Sequence, residues 1–117
     1  MISGRTILAI IPARGGSKGV PKKNLRLLGN KPLIGWTIDE AKKSKYIDRI
    51  IVSTDSQEIA DFALKFGAEV PFIRPKELAQ DETPSSYVII HTIEWLDKNQ
   101  NQNYDILILQ DSYMSFI

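Results

Sequence analysis

The segment Ile11 to Asn24 reads IPARGGSKGVPKKN and concentrates the side chains of this chain best suited to holding an anion. Gly15 and Gly16 let the backbone turn and present N–H groups, while Gly19 and Pro21 shape the return. Arg14 can fork two phosphate oxygens, whereas Lys18 and Lys23 act as point charges near them. Several charge-assisted bonds at about 1.5–3 kcal/mol each suffice for micromolar binding of a triphosphate. The plainer reading of the same residues is a turn carrying solvated lysines. Two common phosphate motifs are excluded, because the segment contains neither GxxxxGK[ST] nor a GxGxxG that opens a helix.

Lys and Arg total 15, Asp and Glu 14, and the formal net charge is +1. Arg14, Lys18, Lys22, Lys23 and Arg26 nevertheless share one acid-free stretch; setting those five aside leaves 10 basic against 14 acidic residues, a balance of −4. Cations concentrated in one loop of a near-neutral protein suit a small anionic ligand, with phosphate the first candidate; nucleic acid usually meets a broad basic face. With 117 residues, 43% hydrophobic and 25% charged, the chain has the composition of one globular domain. No apolar run approaches the roughly 18 residues that span a bilayer, so no membrane partner is expected. The apolar stretch Ile7 to Ala13 ends in Arg-Gly-Gly, which makes it a buried strand and not a signal peptide. The chain has no cysteine, which excludes disulfides and thiolate metal sites, and a cytoplasmic location is expected.

Such a loop needs rigid elements on both sides. Thr6 to Pro12 is a continuous β-branched run, too short for a helix, and predicts a strand buried on both faces. From Pro32 a helix is predicted, with Leu33, Trp36, Thr37 and Ala41 at helical spacing and Lys42, Lys43 and Lys45 at its C-terminal end. Arg49 to Thr54 reads as a second buried strand. Asp55-Ser-Gln-Glu58 fits a capping box opening a helix through Ile59, Ala60, Ala63, Leu64 and Phe66, which Gly67 stops. Glu69 to Ile73 reads as a short third strand, at an edge or irregular because of Pro71. Arg74 to Pro84 is loop. Ser85 to Lys98 is a third helix whose stripe is Val88, Ile89, Thr92, Ile93, Trp95 and Leu96. Tyr104 to Gln110 is a fourth strand after the polar linker Asn99 to Asn103. This alternation predicts the α/β class: an open, mainly parallel sheet with helices on both faces. In such sheets ligands bind beyond the carboxyl ends of the strands, where the basic loop lies.

Other residues have simpler expected roles. His91, the single histidine, sits within the third helix and is expected to pack or face solvent. Asp55 is expected to cap the second helix. Trp36 and Trp95 are expected to anchor the core. Glu69, Glu77 and Glu82 have no partner at a metal-ligand spacing.

The ordered series Pro-Ala-Arg-Gly-Gly-Ser-Lys-Gly-x-Pro-x-Lys-Asn, followed by a Lys-Pro-Leu-Ile helix start, closely resembles the N-terminal signature of the acylneuraminate cytidylyltransferases (CMP-N-acylneuraminate synthetases) and their legionaminic and pseudaminic relatives. VSTDSQEIA, Gly-Ala-Glu-Val-Pro, RPKELAQDETPSS and ILILQ carry the likeness as far as Gln110. The resemblance implies a Rossmann-like nucleotidyltransferase fold. It implies that the anomeric hydroxyl of an acidic nine-carbon 2-keto sugar attacks the α-phosphate of CTP, with Mg2+ assisting, to give a CMP-sugar and pyrophosphate. It also implies a CTP site made by Ala13, Arg14, Gly15, Gly16, Ser17, Lys18, Lys23 and Asn24. Within it Arg14 and Lys23 would be catalytic, stabilising charge as it shifts towards pyrophosphate and not acting as bases. Arg74, Asp81 and Ser85 fall in the segment resembling the family's cytosine and ribose contacts, and Gln110 resembles a glutamine pointing into the sugar site. A Kdo cytidylyltransferase is the nearest rival, but its loop lacks the Gly-Gly-Ser-Lys and Lys-Asn elements.

After Gln110 the resembled family continues with a Pro/Ala-Thr-Ser/Cys-Pro-Leu-Arg segment, where this sequence reads Asp111-Ser-Tyr-Met-Ser-Phe-Ile117. Codons for that tail, read one nucleotide later, can spell Thr-Ala-Thr-Cys-Pro-Leu. The expectation is a frameshifted or otherwise truncated product, with residues 1–110 the nucleotide-binding part and 111–117 a divergent tail. The family's remaining half would supply the aspartates that bind magnesium, the homodimerisation arm and further sugar contacts, so no metal ligand is assigned in this chain. A nucleotide-binding fragment without turnover is the alternative function.

Overall fold

In chain order the elements are β1 (Ile7–Pro12), β2 (Leu27–Leu28), β3 (Lys31–Pro32), α1 (Leu33–Lys42), β4 (Arg49–Ser53), α2 (Gln57–Lys65), α3 (Ser85–Gln100) and β5 (Ile106–Leu109), with short 3-10 turns at Lys23–Leu25 and Lys76–Leu78. The computed structural model describes residues 1–15, 23–80 and 83–110. The readings made above for residues 16–22, 81–82 and 111–117 therefore lie outside the described residues.

A strand that is apolar at every position needs a neighbour on each edge and a layer on each face. β1 has both. It pairs in parallel with β4, from Leu8 opposite Arg49 to Pro12 opposite Ser53. On its other edge it pairs in parallel with β5, from Ile7 opposite Ile106 to Ile10 opposite Leu109. The sheet order is thus β4-β1-β5, with β1 central. Alternation then sorts the side chains. Ile11, Ala13 and Val52 meet Ile34, Ile38 and Ala41 of α1 and Ile59 and Ala63 of α2. Leu8, Ile10 and Ile51 meet Leu96 of α3 on the opposite face. The α/β class, parallel sheet and helical cover on both faces are those expected. Ile10 and Ile38 are fully buried, so truncating either to alanine costs about 2–5 kcal/mol.

Several local expectations are corrected. The third strand at Glu69 to Ile73 shrinks to an isolated bridge between Glu69 and Ile51, with Val52 N–H donating to Glu69 O and Glu69 N–H to Ile50 O, both at 2.9 Å. Pro71 lacks the N–H that would extend the ladder. The buried stripe of α1 is Ile34, Gly35, Thr37, Ile38 and Ala41, rotated from the one read off Leu33 and Trp36. Trp36 is not a core anchor: its Nε1–H donates to Leu28 O at 2.8 Å, and the Lys31 ammonium lies 4.4 Å from the ring centroid, so it ties down the β2–β3 ribbon. Leu64, placed on the apolar stripe of α2, is exposed. Gly67 does end α2 in a left-handed conformation, at φ +96°.

Candidate functional site

β4 and β5 lie on opposite edges of β1, so the chain leaves β1 in one direction and later returns to its other side. The crevice of such a sheet opens beyond the carboxyl end of the central strand. β1 feeds directly into the basic loop at that point. Ala13 is buried and its N–H donates to Ser53 O at 2.9 Å, continuing the strand pairing by one residue. The next peptide unit, Arg14 C=O to Gly15 N–H, is gripped from both ends. Asn24, itself buried, donates its Nδ2–H to Arg14 O at 3.3 Å. Asp55 Oδ1 accepts the Gly15 N–H at 2.7 Å.

The residue at position 15 also meets the start of α2 closely. A Cβ built on Gly15 would lie 3.1 Å from Ser56 Cβ, tighter than ordinary contact. Ser56, not Asp55, caps that helix, with Oγ accepting from Ile59 N–H at 3.3 Å. The capping box expected at Asp55 and Glu58 is thereby corrected. Asp55 missed its sequence assignment because Asp and Ser are equally good caps; what marks it out is its place just beyond β4, beside a loop that also leaves the sheet.

Arg74 is buried to 3% exposure. Its two terminal nitrogens donate to Leu78 O at 2.9 Å and Ser53 O at 3.0 Å, and its backbone N–H donates to Thr54 O at 2.7 Å. The guanidinium thus fastens the Lys76–Leu78 turn to the end of β4. Burial depresses its pKa below the ordinary arginine value; the nearby Asp55 carboxylate opposes that effect and the Arg14 charge adds to it. Arg14, Asp55 and Arg74 therefore share one electrostatic neighbourhood. His91 adjoins it, edge-on to Phe72 with ring centroids 4.8 Å apart, and its pKa is lowered first by burial and then by Arg74, against Glu94.

The expected site residues fall into three sets. Ala13, Arg14, Gly15, Asn24 and Arg74 come together at the carboxyl ends of β1 and β4. Ser85 begins α3 as an exposed residue behind the N-cap Pro84, and Gln110 follows β5, where its N–H donates to Ile10 O at 2.9 Å and its Nε2 reaches Thr37 O at 3.5 Å. Gly16, Ser17, Lys18, Asp81 and the Lys23 side chain lie outside the described residues. Among the described residues no three His, Asp or Glu side chains gather into a metal-sized group. Asp55, the carboxylate beside the loop, is already engaged by Gly15. No magnesium ligand is assigned among the described residues. No helix among them is long and apolar enough to cross a membrane.

A parallel sheet flanked by helices, with a cationic sequence following its central strand, defines a protein of the α/β class. Residues 8–107 match the cytidylyltransferase family model, and the chain belongs to that family. It is 47% identical over 98 residues to a pseudaminic acid cytidylyltransferase of Campylobacter jejuni, covering 84% of this chain and 42% of that protein. It is 48% identical over 108 residues to a CMP-N,N'-diacetyllegionaminic acid synthase of Legionella pneumophila, covering 89% of this chain and 45% of that protein. The chain thus spans somewhat less than half the length of these relatives. A solved CMP:2-keto-3-deoxy-manno-octonic acid synthetase, complexed with CTP, superposes with a TM-score of 0.76 over 96% of this chain and 42% of that one, at 20% identity. At that identity the likeness establishes the fold alone, whereas the two sequence relatives above are of the sialic-acid type.

Proposed function

We propose that this chain holds CTP at the carboxyl end of β1 for transfer of CMP to the anomeric hydroxyl of an acidic nine-carbon 2-keto sugar, with release of pyrophosphate. The observation that carries the reading is the Arg14–Gly15 peptide unit, fixed by Asn24 and Asp55 where a strand of a cytidylyltransferase opens into a cationic loop. Pinning this peptide spends the ordering cost before the ligand arrives. Arg14, Lys18 and Lys23 then supply positive charge to the triphosphate, and that charge gains value as the leaving pyrophosphate forms. The sugar hydroxyl is the nucleophile, and the loop's role is electrostatic. Gln110 is proposed for the sugar side because it follows the strand on the other edge of β1. CTP and the sugar are the proposed partners, in the cytosol.

The reading is tested by thermal stabilisation of the chain with CTP, ATP and GTP, each with magnesium, followed by pyrophosphate release with neuraminic, legionaminic and pseudaminic acids. Selective stabilisation by CTP is expected. Equal stabilisation by all three nucleotides, or by none, contradicts the reading. CTP-selective binding without pyrophosphate release by these 117 residues assigns them nucleotide holding alone.

A further inference from the structure

A carboxylate beside a triphosphate loop repels the ligand, so the place of Asp55 calls for a reason other than charge. We propose that Asp55 is a positioning residue whose acceptor oxygen, and not its negative charge, sets the entry of the phosphate loop. The inference rests on reading the loop as a CTP grip.

Three observations carry it. Asp55 is not occupied by the helix it precedes, since Ser56 Oγ does the capping. Its Oδ1 accepts the Gly15 N–H at 2.7 Å, while Asn24 Nδ2 donates to the carbonyl of the same peptide unit at 3.3 Å. A peptide held at both its C=O and its N–H cannot flip without losing both bonds, so the backbone directions on either side of it are fixed together. Position 15 lies close against Ser56, where a Cβ would sit only 3.1 Å from Ser56 Cβ, so the loop entry passes this point best without a side chain.

An amide can accept as a carboxylate does, so Asp55→Asn keeps the acceptor and removes the charge. Asp55→Ala removes both. Asp105 provides a control at the far end of the sheet, where its Oδ2 accepts the Thr6 N–H at 2.9 Å. The experiment is calorimetric titration of the full chain and its D55A, D55N and D105A variants with magnesium CTP, together with hydrogen exchange of the Gly15 amide. D55A is expected to bind CTP about tenfold more weakly, near 1.4 kcal/mol, with rapid Gly15 exchange. D55N is expected to stay within about threefold of wild type or to bind more tightly, and D105A to leave affinity unchanged. D55A binding as wild type, or D55N as weak as D55A, overturns the proposal. If D55A fails to fold, the proposal still falls should the wild-type Gly15 amide exchange freely or D55N lose affinity. Should wild type bind no CTP at all, the nucleotide reading fails; slow Gly15 exchange, lost in D55A and kept in D55N, would then still support the positioning role.

Discussion

The two ends of the parallel sheet treat their carboxylates differently. At the amino end, Asp48 Oδ2 accepts the Ile7 N–H at 2.7 Å and Oδ1 meets the Met1 ammonium at 2.9 Å, while Asp105 accepts from Thr6; these contacts lie at or near the surface and staple strand entries. At the carboxyl end, Asp55 grips a loop, not a strand, among Arg14, Asn24 and the buried Arg74. That end also holds Ser53 Oγ, Arg74 Nε and His91 Nδ1, which are buried without a hydrogen-bond partner among the described residues. Buried polar groups without partners are costly, and proteins keep them mostly where function requires them. One end of the sheet is thus stapled by carboxylates near the surface, and the other gathers buried polar groups around the proposed site.

The largest predicted effect separates the ends by ligand binding. Replacing Arg14 and Lys18 together with alanine removes at least two charge-assisted contacts, and CTP affinity should fall by about 100-fold or more. Replacing Asp48 with asparagine should leave CTP affinity unchanged, and isothermal titration reads both. Next comes Arg74→Ala, which takes a donor from the carbonyls of Leu78 and Ser53, the latter still held by Ala13 N–H, and should lower unfolding free energy by about 1–3 kcal/mol in urea titration. Arg74→Lys should recover little of that, because an ammonium does not reproduce the guanidinium fork.

A smaller effect is expected at the helix cap. Ser56→Ala should lower stability by about 1 kcal/mol in the same titration, while Asp55→Ala acts first on CTP binding. The smallest effect is a pH dependence that divides the ends by window. His91 has a folded pKa below its ordinary 6.5, so the unfolded chain binds the proton more readily. Its contribution is present above about pH 6.5 and is lost as pH falls towards the folded value. Arg74 and Glu94 are the charged groups acting on it, with Phe72 and Trp95 packed nearby. His91→Phe should abolish this part of the acid sensitivity in melting curves. Asp48, its pKa lowered by the Met1 ammonium and the Ile7 N–H, should lose its contribution only below 3.8.

Much of this architecture was legible because β1 and β4 are unbroken apolar runs, whose burial on both faces leaves few alternatives to a parallel α/β sheet. The helix limits at Pro32 and Gly67 were equally plain, since proline fixes its own φ and glycine accepts the left-handed conformation that ends a helix. Less legible were features decided across the fold. Trp36 follows helical spacing yet turns to the β2–β3 ribbon, because Ile34 and Ile38 already fill the face against the sheet. Glu69 forms one bridge and no strand, which depends on where Pro71 falls along β4. The loop declared itself by composition, but its two holders did not. Asn24 reads as a ligand contact, and its amide also donates to Arg14 O; Asp55 reads as a cap and instead binds Gly15. Nothing in local spacing records a bond made 40 positions away.

The most direct test is a nitrogen-15 amide NMR titration of the chain with magnesium CTP, which reads both ends of the sheet in one experiment. The account predicts shift changes concentrated at residues 13–24 and near Asp55 and Arg74, with Thr6, Asp48 and Asp105 unmoved. Changes centred on the amino ends of the strands, or none anywhere at millimolar CTP, would contradict it.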